Sequence, residues 1–343
     1  MTNITFSRRL PIYLVLDCSE SMAGSAIEAV ETGISTLVSE LTRNPIAVET
    51  AHLSLITFSR NAQQVLPLTE LLSFQSPHCI VRPGTALGDA LRLLLACVER
   101  EVRLSTPTQK GDYRPLVFLL TDGQPTDDWE AAADAIRQAS QPAFSTVCAI
   151  GCGDDVDIEV LFRITDTVLL MQDFSPINIR KLFSWMTASV TTVSRTIGLG
   201  QQNAGLSFAP FSWGQLEMPT RTYSTRSGLP RQVFLHARCS QTGQPYLLRF
   251  GRDEQESVYQ AVASHRLEIF EDDDESVLPP INSTLLRGCP PCPYCTNPIA
   301  AQCVCGALFC DHPDHEITAC PTCHLQLKFS GHYVNFNIRQ SQG

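Results

Sequence analysis

Near its N-terminus the chain reads Leu10-Pro-Ile-Tyr-Leu-Val-Leu-Asp-Cys-Ser-Glu-Ser21, an apolar run that ends in oxygen-bearing side chains. A continuous apolar run of this length is typical of a strand buried on both faces of a parallel sheet. The oxygen-bearing residues after it then fall in a strand-to-helix loop, where open parallel sheets bind their ligands. This one stretch therefore predicts a fold class and the position of a site.

Strand and helix patterns alternate from residue 10 to residue 200. Buried strands are predicted at residues 11–16, 52–58, 115–120, 143–150 and 168–171. The spacing of apolar residues predicts helices at residues 26–41, 86–98, 129–139, 156–164 and 177–193. Such alternation favours an α/β fold with a doubly wound, mostly parallel, Rossmann-like sheet. We assign this first domain to residues 8–200.

The character of the sequence changes after residue 200. Residues 231–238 and 245–250 alternate as strands do, and the turn residues between them predict a hairpin. The acidic run at residues 271–275 is typical of a solvated linker. We expect a small β-rich, zinc-binding domain at residues 206–343, with its cysteine cluster at residues 289–324.

Composition and charge exclude several classes of protein. The chain has 343 residues, of which 43% are apolar and 17% charged, as in globular proteins. Its net charge of −10 argues against non-specific electrostatic binding of the whole chain to nucleic acid. No stretch approaches the roughly 18 consecutive apolar residues of a membrane span, and residues 10–16 are too short for a signal peptide. We expect a soluble, cytoplasmic protein that binds neither nucleic acid nor a membrane.

Three short segments carry the first group of candidate ligands. Asp17-Cys-Ser19-Glu-Ser21 closes the first strand, Thr85 precedes a leucine-rich helix, and Asp122 follows another buried strand. Each segment alone has an ordinary interpretation, since Asp and Ser cap helices and Thr-Asp-Gly forms turns. Their order and their strand-end positions favour a shared site of hard oxygen ligands, which suits Mg²⁺, Ca²⁺ or Mn²⁺.

Together the three segments resemble the metal-ion-dependent adhesion site (MIDAS) of the von Willebrand factor A (VWA) family. That motif is Asp-x-Ser-x-Ser, a distant Thr, and the Asp of a Thr-Asp-Gly segment, and the resemblance covers about residues 8–197. It implies that the hydroxyls of Ser19 and Ser21 bind the ion directly and that Thr85 does so directly or through water. It implies that Asp17 and Asp122 act mostly through water, leaving a coordination position open for an acidic group of a protein partner.

Eight of the 14 cysteines lie between Cys289 and Cys323. In a chain expected to stay in the cytosol, a dense cluster indicates metal binding rather than a disulfide scaffold. Two structural Zn²⁺ ions need eight ligands. We assign these positions to Cys292, Cys295, Cys303, Cys305, Cys310, His315, Cys320 and Cys323. Cys289 and His312 are alternatives to His315, and both a sequential ribbon and an interleaved cross-brace remain open.

The order of these modules resembles that of TerY-type proteins, which are bacterial VWA proteins associated with tellurium resistance and chemical stress. The resemblance also rests on the segments at residues 239–246 and 303–310. It implies partnership with a protein kinase and a PP2C-type phosphatase. We therefore expect a non-catalytic, metal-dependent adaptor or regulator that binds an acidic or phosphorylated surface.

Two other classes of function compete with this expectation. A VWA subunit of an AAA-ATPase-linked assembly, either chelatase-like or MoxR-like, has the same motif, but the zinc module fits it poorly. A zinc hydrolase or a ligase-like enzyme needs an open metal position and a nearby general base. The thiolates of this chain are numerous enough to close both zinc sites, so we expect no catalysis.

Overall fold

The apolar run at residues 10–17 forms an inner strand of a seven-stranded sheet in the computed structural model of this chain. The first strand, β1 (Leu10–Asp17), is buried along its whole length because it has parallel neighbours on both sides. The structure describes residues 8–76, 78–108, 110–122, 124–139, 144–153, 156–171, 173, 175–198, 216–217, 232–253, 258–268, 280–312, 317–328 and 336–341.

Six further strands complete this sheet, in the order β3-β2-β1-β4-β5-β6-β7. They are β2 (Ala51–Phe58), β3 (Ala62–Glu70), β4 (Leu116–Thr121), β5 (Thr146–Cys152), β6 (Thr167–Met171) and β7 (Leu216–Glu217). The five inner strands run parallel, whereas the edge strands β3 and β7 are antiparallel to their neighbours. The mostly parallel α/β fold expected from the sequence is confirmed.

Six helices accompany this sheet: α1 (Ser25–Thr42), α2 (Pro45–Thr50), α3 (Leu87–Glu101), α4 (Glu130–Gln138), α5 (Ile158–Ile164) and α6 (Pro176–Gly198). The apolar sides of α3, α4 and α5 form one core with the sheet strands. The ring of Trp185 in α6 meets that of Phe118 in β4 edge to face, with centroids 6.0 Å apart. The helices α1 and α6 approach closely at Gly33, where a Cβ atom would lie 2.2 Å from the ring of Phe183.

Three elements of this region were not predicted from the sequence. The edge strand β7 has only two residues and lies beyond residue 200, where the predicted first domain ends. The strand β3 contains polar residues and Pro67, so its pattern is weak. Proline is tolerated there because β3 is an edge strand. The helix α2 is short, and it depends on local capping, since the side chain of Asn44 accepts hydrogen bonds from the N–H groups of Ile46 and Ala47.

The C-terminal part of the chain is built from short strands. They are β8 (Gln232–Arg238), β9 (Pro245–Asp253), β10 (Val258–Arg266), β11 (Ile281–Asn282), β12 (Leu286–Arg287), β13 (Ile299–Gln302), β14 (Leu308–Asp311), β15 (Ile317–Ala319), β16 (Gln326–Lys328) and β17 (Asn337–Ile338). A six-stranded sheet has the order β12-β10-β9-β8-β14-β13, and the pairs β11-β17 and β15-β16 form separate two-stranded sheets. The predicted hairpin is confirmed as β8 and β9, which pair from Arg238 opposite Pro245.

The chain divides into two compact units. The first comprises Met1–Cys18, Ser25–Cys79 and Thr85–Arg226, and the second comprises Ser19–Gly24, Ile80–Gly84 and Ser227–Gly343. The acidic linker expected at residues 271–275 lies outside the described residues. None of the described helices combines the length and the apolar character that a membrane span requires.

Candidate metal centres

The carboxyl ends of β1 and β4 bring two of the predicted MIDAS segments together. These strands are parallel neighbours with Leu16 opposite Leu120, so Asp17 and Thr121 end side by side. The Thr121 hydroxyl donates a hydrogen bond of 2.7 Å to Oδ2 of Asp17, and both residues are fully buried. Asp122 follows directly, and its Oδ1 accepts a hydrogen bond from the N–H of Gln124. Asp122 therefore lies beside the end of β1.

Thr85 is hydrogen-bonded to Thr126, which lies in the loop that follows Asp122. Its N–H donates to the hydroxyl of Thr126 at 3.0 Å, and the N–H of Thr126 donates to the carbonyl of Thr85 at 2.9 Å. Asp127 then caps α3, since its carboxylate accepts hydrogen bonds from the N–H groups of Gly88 and Asp89 at 2.9 and 2.8 Å. These bonds hold the start of α3 against the loop that carries Asp122.

Ser19 and Ser21 lie in the short segment that continues β1. Their hydroxyl oxygens are 2.9 Å apart, with Ser19 fully buried and Ser21 half-buried. Ser19 precedes a single 3₁₀ turn without capping it through its side chain, so simple helix capping does not account for it. Because consecutive Cα atoms are about 3.8 Å apart, both serines stay near the end of β1.

The charge at this edge of the sheet is negative. Burial raises the pKa of the Cys152 thiol at the end of β5, and the charges of Asp122, Asp17 and Asp173 raise it further. Asp173 was not among the predicted site residues. Its carboxylate accepts hydrogen bonds from the Ser175 N–H and the Asn178 side chain, which gives it a structural role at the start of α6. An edge that gathers carboxylates in this way favours a cation.

Glu20, which lies between the two motif serines, contacts other residues of the second unit through its side chain. It is almost fully buried, and its carboxylate pairs with the imidazole of His236 and accepts a hydrogen bond from the Ser341 hydroxyl. The motif supplies no obvious sequence signal for these contacts, because the partners are more than 200 residues away. Glu20 is therefore a structural carboxylate rather than a candidate metal ligand.

Eight cysteines of the second unit form two groups of four. The inner thiol group consists of Cys239, Cys292, Cys295 and Cys310, and the outer thiol group of Cys303, Cys305, Cys320 and Cys323. Within each group the sulfur atoms lie within 4.8 Å of one another. Cys310 follows Cys303 and Cys305 in the chain yet belongs to the inner thiol group, so the two sets interleave.

The spacing of the thiols fits tetrahedral zinc. A Zn–S bond of about 2.3 Å places the four sulfurs of a tetrahedral site about 3.8 Å apart. The sulfurs of Cys295 and Cys310 are 3.5 Å apart in the inner thiol group. In the outer thiol group Cys303 and Cys323 are 3.5 Å apart, and Cys305 and Cys320 are 3.8 Å apart. All of these cysteines are free, so the short distances do not arise from disulfides.

Three of the turns that present these thiols share one geometry. In the turn at Cys292 the cysteine N–H bonds the carbonyl five residues on, and the N–H four residues on bonds the cysteine carbonyl. The turns at Cys239 and Cys320 repeat both bonds. The fifth residue of each turn has a positive φ: Gly243 at 69°, Thr296 at 62° and His324 at 61°. Cys239 is thus presented by a zinc-knuckle turn in which Thr242 stands where a second cysteine would be.

The two thiol groups contain seven of the eight predicted ligands. The seven predicted cysteines all lie in the two groups, and Cys239 is the eighth thiol. Cys289 and His312 belong to neither group, and His315 lies outside the described residues. Sequence reasoning missed Cys239 because it is more than 50 residues from the cluster and lacks a nearby cysteine. What it shares with the knuckles is the hydrogen bonding of the turn and the positive φ of the fifth residue, which the structure shows and the residue types do not.

Each thiol group contains one cysteine that ionises readily. Burial opposes ionisation of Cys239, but hydrogen bonds from the hydroxyl and N–H of Thr242 lower its pKa to about 7. Burial also opposes ionisation of Cys320, whereas the N–H groups of Cys323 and Thr322 lower its pKa to about 7. In contrast, burial raises the pKa of Cys292 to about 11 and that of Cys303 to about 12. Metal binding must therefore displace protons from Cys292 and Cys303.

Two family models match the chain, one for each type of centre. Residues 12–180 match the von Willebrand factor type A domain, so the chain contains a VWA domain. Residues 230–343 match the TerY-C metal binding domain. The chain therefore corresponds to a TerY-type VWA protein with a C-terminal TerY-C domain, and the resemblance stated from the sequence is confirmed.

Several solved structures are similar to part of the chain at low identity. Proximal thread matrix protein 1 from the mussel byssus is 16% identical over 53% of this chain and 48% of its own, with a TM-score of 0.40. BatB from Bacteroides thetaiotaomicron is 20% identical over 54% of this chain and 99% of its own, with a TM-score of 0.37. A von Willebrand factor type A protein from Catenulispora acidiphila is 22% identical over 54% of this chain and 43% of its own, with a TM-score of 0.42. The match spans about half the length of the mussel protein. No curated protein matches the chain.

Proposed function

We propose that this protein is a non-catalytic, metal-dependent adaptor that binds an acidic or phosphorylated group of a protein partner in the cytoplasm. The observation that carries the proposal is the oxygen-rich edge of the first sheet. There the Asp17 and Asp122 segments meet, and Thr85 is bonded into the same loop. The two motif serines follow Asp17 in the chain.

The donor set at this edge suits a hard divalent cation. Asp17, Ser19, Ser21, Thr85 and Asp122 supply two carboxylates and three hydroxyls, the ligands that Mg²⁺ prefers over softer metals, with Ca²⁺ or Mn²⁺ as alternatives. The carboxylates of Asp17, Asp122 and Asp173 that raise the pKa of Cys152 give the edge the required sign of charge. A bound ion would offer an open coordination position to a carboxylate or phosphate of the partner.

The thiol groups support a structural role for zinc. Each group already supplies four ligands. A catalytic zinc site has three protein ligands and an open position for water or substrate, whereas a site with four thiolates is closed. The zinc ions would stabilise the fold of the second unit, and the adaptor would carry out no reaction there.

The partners that we propose are a protein kinase and a PP2C-type phosphatase of a bacterial stress and tellurite-resistance phosphorylation system. This part of the proposal is supported by the match to a TerY-type architecture. The competing proposal is a VWA subunit of an AAA-ATPase-linked chelatase or MoxR-like assembly. It accounts for the first domain but not for the zinc module.

A pull-down from the native host tests the proposal. Tagged full-length protein is incubated with lysate in buffer with or without Mg²⁺, without a chelator so that zinc is retained, and captured proteins are identified by mass spectrometry. The variants Asp17→Ala and Ser19→Ala remove motif ligands, and Ser25→Ala, at an exposed position just after the motif, is the matched control.

We expect a kinase or a PP2C-type phosphatase to be captured by the wild type and by Ser25→Ala only with Mg²⁺, and to be lost from both motif variants. Circular dichroism and zinc content should be unchanged in all four proteins. Capture that persists without Mg²⁺ and in both motif variants would contradict the adhesion-site mechanism. Capture of an AAA-type ATPase in place of a kinase or phosphatase would favour the competing proposal.

A further inference from the structure

The two thiol groups have different surroundings. In the inner thiol group Cys239, Cys292 and Cys310 are buried, and they belong to the apolar core of the six-stranded sheet. The sulfur of Cys310 also accepts a hydrogen bond from the N–H of Ser240 at 3.3 Å. A metal ion held there is screened from solvent and is tied to the core of the unit.

The outer thiol group is open to solvent on one side. Cys303 and Cys320 are buried, but Cys305 and Cys323 are both exposed. The apolar cluster around this group is small, with Ala301 and Phe309 as its only members besides Cys303 and Cys320 among the described buried residues. Two of the four cysteine residues are therefore exposed to small reagents in solution.

The outer thiol group also connects the β15–β16 hairpin to the segment before β14. Cys320 and Cys323 lie in the turn between β15 and β16, which form a two-stranded sheet of their own. A lone two-stranded hairpin is marginally stable in water. The hairpin is joined to β14 by a hydrogen bond of 2.7 Å from the Thr318 hydroxyl to Asp311, and by the thiols that Cys303 and Cys305 contribute.

We propose that the outer thiol group is a thiol-reactive, exchangeable metal site, at which a peroxide oxidises the cysteines, releases the ion and frees the β15–β16 hairpin. The inner thiol group keeps its ion and preserves the six-stranded sheet. The inner thiol group thus stabilises the fold of the unit, and the outer thiol group responds to oxidants.

The chemistry follows from the distances between the sulfurs. The exposed Cys323 thiolate attacks hydrogen peroxide, which forms a sulfenic acid and releases hydroxide. The Cys303 thiolate, 3.5 Å away, then displaces a second hydroxide from that sulfur and forms the disulfide. Two thiolates, one peroxide and two protons give one disulfide and two waters. Two remaining thiolates cannot retain the ion, and Cys305 and Cys320 can react in the same way at 3.8 Å.

Zinc release from the full-length, zinc-loaded protein tests this inference. Hydrogen peroxide is added in the presence of a chromogenic zinc chelator, and disulfides are mapped by peptide mass spectrometry in each phase. We expect one ion to leave in a separate fast phase, with disulfides confined to Cys303, Cys305, Cys320 and Cys323. Release of both ions in a single phase, or first oxidation at Cys239, Cys292, Cys295 or Cys310, would overturn the inference.

Hydrogen exchange on the same samples gives a second readout that needs no variant. After the fast phase we expect amide protection to be lost at residues 317–328 and retained in β8, β9 and β10. Unchanged protection of residues 317–328 after loss of one ion would contradict the proposed release of the hairpin. The double variant Cys305→Ser/Cys323→Ser should retain one zinc ion and lose the fast phase, whereas Cys289→Ser should behave as the wild type.

Discussion

Single cysteines decide how the second unit holds its metals. Cys239 and Cys289 are both outside the knuckle pairs, and sequence reasoning named only Cys289 as a possible ligand. Cys239 lies with the inner thiol group, whereas the thiol of Cys289 contacts only the carbonyl of Pro290 among its described hydrogen bonds. Cys239 joins the inner thiol group because the turn after β8 lies close to the other three cysteines in the folded unit. This proximity depends on tertiary structure and not on the local sequence.

This placement predicts different zinc contents for two otherwise similar variants. Cys239→Ser should lower the zinc content from two ions to one, because a serine hydroxyl replaces a thiolate ligand. Cys289→Ser and His315→Ala should retain both ions. Native mass spectrometry of the three purified proteins measures this directly. If Cys239→Ser retains two zinc ions while Cys289→Ser or His315→Ala retains one, the eighth ligand is the residue changed in that control and not Cys239.

Asp17 illustrates how one hydrogen bond prepares a site. Thr121→Val keeps the shape of the side chain but removes the hydroxyl that bonds Oδ2 of Asp17. A buried carboxylate that loses a donor destabilises the fold by about 1–3 kcal/mol, and its orientation is less well fixed. We expect weaker Mn²⁺ binding in electron paramagnetic resonance titrations and a lower urea midpoint. The exposed control Thr36→Val should match the wild type in both, and wild-type Mn²⁺ affinity in Thr121→Val would count against this role.

At the scale of elements, the sequence predicts best where one physical pattern dominates. The continuous apolar runs of β1 and β4 and the leucine spacing of α3 led to correct elements because burial requires those patterns. The edge strand β3 was missed because half of its surface is polar. The turn between β8 and β9 was predicted as part of a hairpin, but Cys239 was missed as a candidate ligand because Thr242 stands where a second cysteine would be. The rule that parallel strands end at one edge predicted that the Asp17 and Asp122 segments lie side by side, whereas their hydrogen bonds required the structure.

The packing of α1 against α6 makes a prediction at this scale. Gly33→Val would place side-chain atoms where the buried ring of Phe183 lies, since even a Cβ atom would be 2.2 Å from it. Overpacking of this kind costs roughly 1–3 kcal/mol. We expect a lower midpoint of thermal unfolding, measured by calorimetry, with unchanged zinc content. Ser39→Ala on the exposed side of α1 is the control, and an unchanged midpoint in Gly33→Val would show that the two helices are further apart.

At the scale of the whole molecule, zinc binding couples stability to pH. The metal-free thiol groups hold protons near neutrality, because burial raises the pKa of Cys292 and Cys303 above 7. The zinc-loaded form binds fewer protons, so rising pH favours it and falling pH releases the metal. Dialysis against zinc-free buffers between about pH 8 and about pH 5, followed by metal analysis, should show progressive zinc loss toward acid. Retention that does not depend on pH would contradict thiolate ligation.

In the proposed function, a divalent ion at the edge of the first sheet controls the capture of a protein partner. The most direct measurement is the affinity of a purified partner for the wild type and for Ser19→Ala as Mg²⁺ is titrated, with zinc content checked in every sample. We expect saturable, Mg²⁺-dependent binding to the wild type and none to Ser19→Ala, at equal zinc content. Equal affinity of both proteins at every Mg²⁺ concentration would contradict it.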